Sequence, residues 1–184
     1  MQNKNETRPD HLIKKQLGAK GSSIFEVPCR QAVYAESDLI ARTQNISVLG
    51  KSLSAQTLGI TKSIRQVDEF LQSNTKWRNK LVESHPEFCF SKLNCNKPIM
   101  ENKLTEEGQQ KRLDILERYY PDSRRVVEKY LSDVPYRKKI DDVIDALCLA
   151  VTGKLIIELG LKTIPENPMM DARGILMQMA YGES

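Results

Sequence analysis

Apolar positions along this chain recur at spacings of three and four more often than they alternate, and the segments that carry them have helix punctuation at their ends. Residues 9–17 read as a short helix, with Pro9 at its first position and Gly18 just past its end. Residues 21–28 read as an extended connector. Helical pattern resumes over about 30–36 and again over 38–49, where Gly50 closes it. Residues 54–71 are expected to break near Gly59; the second half carries Ile60, Ile64, Val67, Phe70 and Leu71 on one face, which is expected to be buried. Leu81-Val82-Glu83 reads as a strand end. Pro86 opens a helix to about Leu93, residues 94–103 form a polar loop, and Thr105 caps a helix whose buried side holds Leu113 and Leu116. A further helix covers about 123–131. The longest runs from about Tyr136 to Leu159 and stops at Gly160; Ile140, Val143, Ile144, Leu147 and Val151 fall on one stripe of it at 100° per residue. Residues 161–168 read as loop, and residues 174–180 as a terminal strand or a short helix. The expected census is helix-dominated with about two strands.

Length and composition narrow this picture. A chain of 184 residues with 40% apolar and 28% charged residues can build a real core, so one domain over 8–184 is expected behind a disordered polar tail, 1–7. No apolar run approaches the roughly 20 residues that span a bilayer, and the first residues lack the apolar stretch of a signal peptide. A soluble, cytoplasmic protein with no membrane partner is therefore expected. Cys29, Cys89, Cys95 and Cys148 form no Cys-x-x-Cys pair, and His11 and His85 are the two histidines, which argues against zinc and for core cysteines or free thiols. The net charge of +4 is compatible with nucleic acid without requiring it. Basic clusters stand at Lys76-Trp77-Arg78-Asn79-Lys80, Lys111-Arg112, Arg124-Arg125 and Arg137-Lys138-Lys139; a solvated surface is the competing reading of each.

Two constellations could carry chemistry. Asp141, Asp142 and Asp145 share one flank of the long helix, about 100° wide, beside its apolar stripe. Acids so crowded repel unless a cation compensates them, and Mg²⁺ or Mn²⁺ suits carboxylate oxygens. The alternative is structural: acids in a first helical turn favour the helix dipole, and Arg137, Lys138 and Lys139 lie within pairing reach. The second constellation is Glu83, His85 and Glu87, in which Pro86 fixes the turn between a strand end and a helix start. There too, an acid in a first turn and a hydrogen-bonded structural histidine are the ordinary reading. Phosphate-cradling Gly-rich loops and a Gly-x-Ser-x-Gly nucleophile turn are absent from the sequence, which demotes nucleotide-fold ATPases and serine hydrolases.

Taken in order, the segments resemble a family of predicted nucleases of the RNase H-like fold. Glu83-Ser-His-Pro-Glu-Phe-Cys-Phe90 is similar to its Glu-x-His-Pro-Glu-x-x-Phe segment, Lys103-Leu-Thr-Glu-Glu-Gly108 with Arg112 to its Lys-x-Thr-x-x-Gly segment and following Arg, and Asp141-Asp-Val-Ile-Asp-Ala146 to its Asp-Asp-x-x-Asp-Ala helix. Leu17-Gly18 with Ser22-Ser-Ile-Phe25, Gly50 with Ser54-x-Gln56, Lys62 with Ile64, and Asp171-x-x-Gly174 resemble its flanking segments. The resemblance implies an α/β, RNase H-like fold, helix-rich here because the family's first strands, with their Asp-Gly motif, have no counterpart in these residues. It implies phosphodiester hydrolysis of DNA or RNA through Mg²⁺ or Mn²⁺ held by Glu83, Asp142 and Asp145, with Asp141 a close substitute. His85, Glu87 and Lys103 are further candidates. A catalytically impaired remnant is the companion expectation. The alternatives are a non-catalytic binding module on the same partial fold, or a metal-dependent enzyme acting on another phosphate or acyl substrate. With so little sheet, either a compact helical rearrangement or pairing with a partner through an open edge near residues 81–83 is expected.

Overall fold

A computed structural model describes residues 8–78, 80–133 and 139–183. The expected tail at 1–7, Asn79 of the first basic cluster, and Tyr136, Arg137 and Lys138 at the expected start of the longest helix lie outside the described residues.

The described residues form eight α-helices and one small antiparallel sheet: α1 Pro9–Leu17, α2 Arg30–Val33, α3 Asp38–Leu49, α4 Ala55–Ser73, α5 Pro86–Leu93, α6 Glu106–Glu117, α7 Ser123–Asp133, α8 Ile140–Leu159, β1 Lys162–Ile164 and β2 Met179–Tyr181. This helix-rich architecture with a two-stranded sheet is compatible with an α/β class. Its helix starts follow from local chemistry. The hydroxyls of Ser37, Ser54 and Thr105 accept the N–H groups of Ile40, Thr57 and Gly108, so three first turns are closed by their own caps. At the other end of α3, Gly50 takes a left-handed conformation at φ 74°, which an L side chain would resist.

Several expectations are corrected. α4 runs unbroken through Gly59: the Ser54 cap starts it, and the roughly 1 kcal/mol that a helical glycine costs is too little to stop nineteen residues. Of its expected buried face, Leu71 is buried while Ile60, Val67 and Phe70 are exposed, because α4 packs mainly on the short α2. The connector after Gly18 begins with a 3-10 turn, Gly18–Ser23, before it extends, and α2 stops at Val33. Residues 81–83 form no strand; one backbone hydrogen bond, from the Ala180 N–H to the Glu83 carbonyl at 2.7 Å, ties them to β2. The expected loop at 161–168 contains β1, whose residues 162, 163 and 164 pair with 181, 180 and 179. On α8 the buried line is Ile144, Cys148, Val151, Thr152 and Leu155, with Ile140, Val143 and Leu147 half-buried beside it.

Three apolar clusters hold the elements together. The largest joins α5, α6, α7 and α8 around Phe90, Leu116, Ile144 and Cys148. A second joins α1 to α5 and the sheet through Ile13, Leu17, Phe88 and Met179. A third, smaller one packs Cys29, Ala32, Ala41 and Leu53 between α2, α3 and the start of α4. All four cysteines are free, three of them buried. Among the described residues no helix is long and apolar enough to cross a membrane.

Candidate functional site

The polar interior lies where the start of α5, the loop before α6, and the first two turns of α8 meet. Each of the three segments brings its side chains there for a local reason. Pro86 at the first position of α5 makes His85 the residue before the helix and places Glu87 in its first turn. Before α6, the Asn102 carbonyl accepts both the N–H and the hydroxyl of Thr105, and an ideal Cβ on Gly108 would lie 1.9 Å from that carbonyl oxygen. Only glycine permits this approach, and it folds the loop so that Lys103 reaches α8. On α8, Asp141 and Asp145 are four residues apart and share a face.

The result is a charge cluster. The Lys103 ammonium lies 2.7 Å from Asp145 Oδ2 and 3.4 Å from an oxygen of Asp141. Arg112 on α6, 1% exposed, donates from Nη2 to Glu87 Oε1 at 2.7 Å and from Nη1 to the Gly108 carbonyl at 2.9 Å, with its guanidinium over the Phe90 ring. Burial pushes the Asp145 carboxyl up, and the Glu87 carboxylate adds to that, outweighing Lys103 and Arg112. Burial alone would lower Lys103, but Asp145 and Asp141 hold it above the ordinary lysine value. Burial lowers His85, with Lys103 adding and Glu87 opposing, so the imidazole is favoured as its neutral form. His85 Nδ1 and Asp145 Oδ1 are both buried without a hydrogen-bond partner among the described residues. Beneath them burial raises the thiols of Cys89 and, well above its ordinary value, Cys148. These are core cysteines rather than ready nucleophiles.

The expected site residues divide in two. His85, Glu87, Lys103, Asp141 and Asp145 converge. Asp142 turns outward to Lys139 at 3.3 Å, its side chain 57% exposed. Glu83 stands at the rim beside β2: the residue is open to solvent, yet enough protein surrounds its carboxyl to push it up, with the Asp10 carboxylate second. Asp10 itself is buried against Arg8 at 2.9 Å and accepts the Val27 N–H. Sequence reasoning missed the role of Arg112 as the buried partner of Glu87, although its place after the Lys-x-Thr-x-x-Gly segment marked it. It missed the Arg8–Asp10 pair altogether.

Whether this set suits a divalent cation can be judged from its donors. Among the described residues no group of three or more His, Cys, Asp or Glu side chains is placed to hold a metal ion. The two acids that face each other already share an ammonium, and the third member expected from the helix points away. The residues do not fit a divalent ion in this arrangement.

Fold and cluster together define a helix-rich protein with a partly buried, ion-paired polar centre between α5, α6 and α8. The chain belongs to the family described as protein of unknown function DUF429, whose model matches residues 2–170. No curated protein matches the chain, and no solved structure does.

Proposed function

We propose that this protein derives from a metal-dependent nuclease of the RNase H-like plan and that phosphodiester hydrolysis is impaired in it, because cations of the chain itself occupy the acids that would hold the metal. The position of Lys103 between Asp141 and Asp145 carries this reading. A divalent ion needs carboxylate oxygens free to turn toward it. Here an ammonium is already bonded to them at close range, and Arg112 holds Glu87 in the same way. A metal would have to displace Lys103 and leave it among the groups of a partly buried site, at a cost that weakens binding. The order of the acidic segments along the chain supports the ancestry, and the exposed Lys76 and Lys80 support a polyanionic DNA or RNA partner, Arg78 between them being held by Leu71, Gln72 and Arg173.

Manganese titration by calorimetry, together with cleavage assays on single- and double-stranded DNA and RNA, tests this. The native chain is expected to show weak Mn²⁺ binding and no Mn²⁺-dependent cleavage. Lys103→Met is expected to tighten Mn²⁺ at least tenfold, and adding Asp145→Asn to reverse the gain. Mn²⁺-dependent cleavage by the native chain, abolished by Asp145→Asn, would instead establish a working nuclease. Unchanged Mn²⁺ affinity in Lys103→Met would remove the role given to that lysine.

A further inference from the structure

Two of the motif-like segments take no part in the acidic cluster, yet they meet elsewhere. Ser22 and Phe25 from one, and Ser54 and Gln56 from the other, line a single cavity of about 520 Å³. That size lies within the roughly 300–1,000 Å³ of small-molecule sites. Its wall is held by Asn45, 3% exposed, which accepts the Cys29 N–H at 2.8 Å and donates to the Lys51 carbonyl at 2.8 Å. This pins the backbone of Lys51 at the rim.

Charge at the rim is lopsided. One oxygen of Glu26 faces Lys51 at 3.1 Å, Lys14 at 3.7 Å and His11 at 3.9 Å. Two lysines and an imidazole thus converge on one carboxylate, His11 and Lys14 from α1 and Lys51 from the loop after α3. Arg8 also lines the cavity, but its charge is matched by Asp10. Burial alone would raise Glu26; Lys51, then His11 and Lys14, outweigh it and hold the carboxyl below its ordinary value. A fixed anion is therefore what the cations select. The first turn of α4 lines the same cavity and adds the positive end of its dipole. Phe25, 44% exposed, lines the cavity together with Gln56, Ser22 and Ser54, whose hydroxyl caps α4.

We propose that this cavity binds a small phosphorylated ring compound of mononucleotide size, whose phosphate takes Lys14 and Lys51 from Glu26 while its ring lies on Phe25. The site is separate from the acidic cluster and does not depend on any hydrolytic activity there. Glu26 acts as the placeholder anion. Removing its charge therefore strengthens binding, an effect that a misfolded variant could not mimic.

The test is calorimetry on the full chain at low salt with three probes, AMP, inorganic phosphate and adenosine, supported by amide-shift mapping with AMP. AMP is expected to bind at least tenfold tighter than either of the others, with shifts confined to residues 22–26 and 51–57. Glu26→Gln is expected to tighten AMP about threefold or more, and the Lys14→Glu, Lys51→Glu pair to weaken it at least tenfold. The proposal is overturned by any of three results: no AMP binding at millimolar concentration, AMP no tighter than phosphate or adenosine, or shifts centred on residues 83–87 and 141–145. Unchanged affinity in Glu26→Gln would equally overturn it.

Discussion

Lys103 and Asp145 both hold their protons more firmly in the fold than in an open chain, for opposite reasons. The lysine does so because two carboxylates flank it, and the aspartate because burial and Glu87 outweigh the lysine. For Asp145 the consequence for stability has a definite sign. Its folded value is raised, so its contribution is fully present below the ordinary value of 3.8 and is lost as pH climbs through the higher folded one. Asp145→Asn removes that loss. In urea unfolding between pH 4 and 7, the variant is expected to gain on the native chain as pH rises, by about 1.4 kcal/mol for each unit by which the folded value is displaced. Parallel profiles would mean that Lys103 neutralises the burial cost fully. That Asp141 rather than Asp142 joins Asp145 could not be read from the helix wheel. All three acids share a flank there, and the choice is made by a loop that Gly108 allows to come close.

α4 shows how far periodicity carries an element and where it stops. Its apolar positions predict a helix with one apolar face, and the helix is there. Periodicity does not say what the face meets, and with α2 as its main neighbour only the Leu71 end is covered. The difference is measurable. Leu71, 8% exposed, is expected to lose about 2–5 kcal/mol on Leu71→Ala. Val67, 54% exposed, is expected to change stability by no more than about 0.5 kcal/mol on Val67→Glu, as surface substitutions do. A Val67→Glu loss as large as that at Leu71 would show the face covered in solution, and equilibrium urea unfolding of the two variants reads it directly. Where punctuation is chemical, sequence reading succeeds: the bounds of α1, α3 and α5 follow from Pro9, Gly18, Gly50 and Pro86. It fails for β1 and leaves β2 open between a strand and a short helix, since three residues are too few to show alternation and each needs the other, fifteen or more positions away, to be a strand at all.

At the scale of the whole molecule, Tyr181 packs against both of the larger apolar clusters, whereas the smallest shares no residue with either, so polar ties become decisive for it. The cluster of α5, α6, α7 and α8 is the deepest, with Phe90, Leu116, Ile144 and Cys148 fully enclosed. The cluster of α2, α3 and α4 is small and built around two alanines. Arg30 fastens that smaller unit at both ends: its guanidinium pairs with Asp68 on α4 and with Asp171 in the segment leading to β2. Burial alone would lower Arg30, but the two carboxylates outweigh it, while Asp171 is held in place by the N–H groups of Arg173 and Ile175. Regions with few buried apolar contacts open at lower free energy than the main core. Hydrogen exchange is therefore expected to find α2 and α3 opening as a unit at lower cost than α5 and α8. Arg30→Met is expected to speed exchange at least tenfold in α2 and α3 while leaving Phe90 and Ile144 amides within about twofold, because the ties lost run from α2 to α4 and to the segment before β2 and touch neither α5 nor α8. Equal acceleration in both regions would mean that the chain opens as one cooperative body, with Arg30 serving the whole of it.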